Sequence, residues 1–250
     1  NQQHILESGG IPKLLAQLEC AGAPESITRV PQSYVAALET AVSALHSLTG
    51  HPGSRIQIVS AGGISHLSPI LFLKGTSSDT RHKVSAALIA LMQGGGSEQT
   101  IAVISLLIKQ LETVSLDAND VGVPIALDCM YSLCLDLQNR EALVKTDLIP
   151  ELTRQLTNSS DAAITIAEKA LTLMAHLSPI LRVRVIQEAA TLLRHKDEGV
   201  RRRSLNLLNG QSELWRACSR QQQREAVLAG GISPLVDLIM NVSFIEAHEY

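Results

Sequence analysis

Aromatic residues are nearly missing: one Trp, three Tyr and two Phe make up 2% of 250 residues. An all-β sandwich draws more heavily on aromatic side chains, so this scarcity argues for closely packed helices built from Leu, Ala, Ile and Val. Cysteine is also scarce, with Cys20, Cys129, Cys134 and Cys218. None forms a CxxC and no histidine pair stands at zinc spacing, which sets aside a disulfide framework and a zinc site. Free thiols in a reducing compartment, cytoplasmic or nuclear, are the expectation. No stretch of about 18 apolar residues is free of charges and helix breakers, so no membrane span is expected, and no secretory leader is recognisable. Neither sign of charge dominates, since the net charge is −3; nothing global demands nucleic acid or an anionic surface. GxSxG, Walker, HExxH and GxGxxG signatures are absent from the sequence, which argues against an enzyme, a bound cofactor or a metal. Gly94-Gly95-Gly96 follows a helical pattern rather than a strand, so it reads as a helix stop and not as a phosphate cradle. Asn158-Ser159-Ser160 and Asn241-Val242-Ser243 match the glycosylation acceptor pattern, a match that arises often by chance and has no meaning in a cytosolic chain.

What the chain does contain is a repeat. GGIPKLLAQL (9–18), GGISHLSPIL (62–71), DLIPELTRQL (147–156) and GGISPLVDLI (230–239) are variants of one segment. AVISLLIKQL (102–111) is a degenerate copy, and a sixth surrounds Ile186. The Gly-Gly pair stops a preceding short helix, such as HILES (4–8), because glycine enters the left-handed region without a Cβ clash. Pro12 then suits the first turn of the next helix. Ile11, Leu14, Leu15 and Leu18 follow at helical spacing. A longer helix comes after each copy: 37–50, 82–95, 124–136, 167–178 and 201–212. Ala41, Val84, Ala126, Ala170 and Ser204 align within it, at steps of 43, 42, 44 and 34. These small residues let neighbouring helices approach closely.

A unit of about 42 residues cannot bury its own apolar faces and must stack on its neighbours. The pattern of a short helix, GGIP-LL..L and then A..AL..L resembles the armadillo repeat family over nearly the whole chain, with the stretch 179–209 closer to a HEAT repeat. The resemblance implies an all-α fold, a right-handed α-solenoid of armadillo-like three-helix repeats. It also implies one repeat domain, residues 1–250, with repeats near 1–50, 51–95, 96–137, 138–178, 179–212 and 213–250. Because the chain opens at Asn1 and neither end carries a polar cap, a piece of a longer chain is expected. Periodicity predicts helices at about 11–18, 35–49, 82–92, 101–112, 124–137, 147–157, 162–177, 182–194, 199–209 and 231–241. Leu14, Leu45, Leu88, Leu107, Leu152, Leu171, Leu205 and Leu235 are the expected buried leucines.

The resemblance further implies binding of a partner peptide or helix along a groove lined by the third helices. In importin-α-like members a Trp and an Asn recur there. Here the first position falls on Ser43, Ala86, Asp128, Thr172 and Asn206, and the second on Ser47, Ala90, Ser132, His176 and Gly210. Neither signature residue stands in its register, so a nuclear-signal receptor is not expected. From Arg182 to Arg224 ten basic residues oppose four acidic ones, a net +6 that leaves −9 to the remainder. Arg201, Arg202, Arg203, Arg216 and Arg220 are the candidate contacts for an acidic protein partner, with a solvated charged face as the plain alternative. Trp215 alone stands among these arginines, too little aromatic surface for a base-stacking platform, which argues against nucleic acid. Asp128, Thr172, His176 and Asn206 complete the candidate contacts on the groove. The loop 19–34 lengthens the first repeat and is either a binding insertion or a tolerated one. The function expected is a protein–protein interaction scaffold. A substrate-recruiting or regulatory domain of an enzyme such as a ubiquitin ligase and an architectural subunit of a cytoskeletal or axonemal assembly are the alternatives. Oligomeric state is not encoded in any feature of the sequence.

Overall fold

Breaks set the helices of this protein. The computed structural model describes residues 9–18, 32–93, 96–114 and 120–217; the side chains of residue 32 and of 211–217 fall outside that description. Among the described residues there are twelve α-helices and no strand. The chain forms two compact units, Asn1–Leu133 and Cys134–Tyr250.

In the first unit, α1 (Gly10–Ala16) and α2 (Gln32–Leu48) give the described part of the first repeat. α3 (Pro52–Ser60), α4 (Gly63–Leu67) and α5 (Ser78–Met92) form a complete three-helix repeat. α6 (Ser97–Thr113) and α7 (Gly122–Leu135) follow. Gly9 and Gly62 each adopt a left-handed backbone, φ 66° and 77°, immediately before a copy of the repeated segment. Only glycine enters that region freely. The neighbouring Gly63 is needed for a second reason: a Cβ there would overlap the Ile58 side chain and its carbonyl oxygen. The second copy is not a regular α-helix throughout. Pro69 lacks an N–H and its ring clashes with the carbonyl four residues back, so α4 ends at Leu67 and a 3₁₀ turn, Ser68–Phe72, takes over. Long helices α2 and α5 pack against each other, and α3, α4 and the 3₁₀ turn pack beneath α5.

In the second unit, a 3₁₀ turn (Leu137–Asn139) leads into α8 (Arg140–Val144), α9 (Leu148–Gln155) and α10 (Asp161–Leu177). α11 (Pro179–Thr191), a 3₁₀ turn (Leu192–Arg194) and α12 (Glu198–Ala217) follow. α10 packs on α9, α11 and α12, and α11 packs on α12. The break before α9 works without a left-handed residue: Asp147 has φ −89° and makes no side-chain cap. The stretch 179–194 holds no separate first helix, and neither does α6. Both lack the Gly-Gly stop, so one helix runs where two would otherwise stand.

Ala41, Val84, Ala126, Ala170 and Ser204 are all 0% exposed. The small residues therefore do lie where helices touch, and the Ser204 hydroxyl is satisfied by the Ala189 carbonyl at 2.6 Å. Leu45, Leu88, Leu107, Leu152 and Leu171 are buried. Leu14 and Leu205 are only half-buried, a correction to the expected set. On α1 the buried stripe is Ile11, Leu15 and Leu18, and on α12 it is Val200, Ser204, Leu207 and Leu208. Both leucines sit on the first and last described helices, where a repeat array has a neighbour on one side only. Leu235 and the expected helix 231–241 lie outside the described residues. Helix bounds also move: α5 begins at Ser78, after Ser77, whose side chain accepts from Thr80 N–H as the cap, and α12 runs past 209 to Ala217 because Gly210 is carried within the helix.

Cys129 and Cys134 are buried free thiols. Burial pushes both up to about 12, so neither is a thiolate at neutral pH. Both should resist alkylation in native protein and react once the chain is unfolded in urea. Peptide mapping of the label would show it, and rapid native labelling of Cys129 would contradict this packing.

Candidate interaction face

The long helices bury one register and leave another open. Ser43 is half-buried, and Ala86, Asp128, Thr172 and Asn206 are exposed; one turn later, Ser47, His176 and Gly210 are exposed, with Ala90 and Ser132 half-buried. The two registers are two residues apart, about 200° around a helix, so burying one turns the other outward. None of these positions is fully buried.

In the first unit, the open register of α2 and α5 is polar and internally bonded. Lys83 Nζ lies 2.6 Å from Asp79 and donates to Ser43 Oγ at 3.3 Å. Ser77 N–H donates to Glu39 Oε1 at 3.2 Å. Hydrogen bonds from Ser77, side chain first, hold the Glu39 carboxyl below its ordinary range against burial and Asp79. The contact is present above the usual carboxylate pKa and is lost as pH falls through the lowered one. Asp128 stands exposed on α7.

In the second unit, α10 and α12 pack together; Thr172 and His176 are exposed one turn apart on α10, and Arg202 and Asn206 are exposed one turn apart on α12. His176 Nδ1 is 2.7 Å from the Thr172 carbonyl. The three arginines at 201–203 separate into different roles. Arg201 Nη1 donates to the carbonyls of His195 and Lys196 at 2.8 and 3.0 Å. Arg203 Nε donates to the Leu156 carbonyl at 3.0 Å. Arg202 is exposed and has no bonded partner among the described residues. The side chain of Arg216, on α12, and the whole of Arg220 lie outside the described residues, as does the loop 19–31. A helix start favours negative charge, and Asp197 and Glu198 provide it. Asp197 Oδ1 accepts from Val200 N–H at 3.0 Å, and that bond, with Gly199 N–H and the charges of Arg203 and His195, holds its carboxyl low.

Two more arginines of the basic segment turn inward. Arg182 Nε donates to the Ala175 carbonyl at 3.0 Å, and Arg184 donates to Val144 and Thr146 carbonyls at 2.8 and 3.3 Å. Each target is at or just past the end of α10 or α8, where carbonyls have no partner in their own helix. Arg203 does the same for the end of α9. In the first unit Arg55 reaches the Ala90 carbonyl and Gln93, and the buried Arg81 reaches the Leu73 carbonyl at 2.9 Å. Sequence reading missed this role. Its signal was available: α8 has no basic residue in its last turn and no glycine stop, so an outside donor was required. Arg184→Ala should lower the unfolding free energy by about 1–2 kcal/mol, whereas Arg202→Ala should leave it unchanged. Urea denaturation measures both, and equal losses would contradict the division of roles.

Among the described residues no cluster of three or more His, Cys, Asp or Glu comes together at metal-binding distance. None of their helices is long and apolar enough to cross a membrane.

No protein-family model matches the chain, and no curated protein matches it. Solved structures do resemble it. An engineered protein from a structural genomics consortium superposes with a TM-score of 0.50 at 17% identity, over 92% of this chain and 90% of that one. A designed armadillo repeat protein in complex with the peptide (KR)4 gives 0.49 at 17% identity, over 91% of each chain. Another designed armadillo repeat protein gives 0.45 at 19% identity, again over 91% of each. At such identities the likeness is one of fold alone. The helix order and the two registers described above make the fold of this chain all-α, an array of helical repeats.

Proposed function

We propose that this protein is a binding scaffold, holding a partner protein segment on the exposed register of its long helices. The observation that supports the reading is the exposure of that register at Ala86, Asp128, Thr172 and Asn206, with Ser43 half-buried, beside a register buried at all five aligned positions. Helix faces left accessible at the same place in successive described repeats are what a repeat protein presents to a partner. Residues 1–250 are read as one such repeat domain, working in the cytoplasm or nucleus. The proposed partner is acidic where it meets the second unit, through Arg202 beside Thr172, His176 and Asn206, with Arg216 and Arg220 further along the basic segment. Arg201 and Arg203 belong to this site as supports, since their guanidinium groups are bonded to carbonyls.

A photo-cross-linking residue placed at Thr172 or Asn206 tests the reading. Adducts with a specific protein are expected there and not from Gln138, which is exposed on a 3₁₀ turn rather than on a long helix. Affinity for the cross-linked segment should then fall several-fold with Arg202→Glu and fall further as salt rises, because exposed charges are screened over about 8 Å at physiological ionic strength. Equal affinity of both proteins at low salt would remove the acidic component. Adducts that form equally from all three positions would remove the face itself.

A further inference from the structure

We draw no further inference here: the strongest candidate, the exposed apolar edge of the second unit at Leu135, Leu137 and Ile180, is an unpartnered apolar surface and nothing in the structure shows what covers it.

Discussion

Replacing Leu152 by Ala is expected to lower the unfolding free energy by about 2–5 kcal/mol. Leu152 is 0% exposed on α9, a helix that packs against both α10 and α11. Removing its three outer carbons takes apolar surface out of the core and leaves a hole that neighbours on two sides cannot close together. Leu205→Ala should cost clearly less, because Leu205 is half-exposed at the flank of α12. Equilibrium denaturation of the two variants measures the difference. A loss below about 1 kcal/mol for Leu152→Ala, or equal losses for both, would place the buried face of α9 wrongly.

The second large effect is expected from a single added methyl. Gly122 opens α7 directly against the first unit's 3₁₀ turn, and a Cβ there would overlap the Leu71 carbonyl oxygen and come within 3.0 Å of its carbon. Both obstacles are backbone, which cannot rotate away as a side chain can. Gly122→Ala should therefore destabilise by about 1–3 kcal/mol. Gly210→Ala provides the opposite sign. A Cβ at Gly210 meets nothing within 4 Å, and the position lies inside α12, so alanine should stabilise by about 0.5–1 kcal/mol. Thermal or urea unfolding of the pair gives the contrast, and a neutral Gly122→Ala would show that the close approach of α7 to Leu71 is not maintained in solution.

The repeat was legible because helical periodicity and glycine stops are local properties. Ala41, Val84, Ala126, Ala170 and Ser204 could be aligned from residue size alone, and all five are buried. The register opposite them followed from helix geometry. Other features were not local. Periodicity tells which face of a helix is apolar but not which repeat lies at an edge, so Leu14 and Leu205 were placed too deep. The 3₁₀ turn at 68–72 depended on Pro69 falling inside a helix rather than at its first turn. The carbonyl contacts of the arginines were not legible for a different reason. Their partners are backbone carbonyls, and a carbonyl's availability depends on where a helix ends, not on residue type. Arg203 and Leu156 are 47 residues apart, and Arg184 and Val144 are 40 apart; these are distances of about one repeat. A basic run that read as one binding cluster is thus divided, with four of its arginines closing helix or turn ends and Arg202 left facing water.

Cysteine accessibility measures the two registers directly, without any partner. Single cysteines at Ser43, Asp128, Thr172 and Asn206 should be alkylated quickly in the native protein. Those at Ala41, Ala126, Ala170 and Ser204 should react roughly a hundredfold more slowly or less, since they require local opening. Comparable rates in the two sets, or faster labelling at Ala170 than at Thr172, would contradict a helical repeat array that keeps one face of its long helices open.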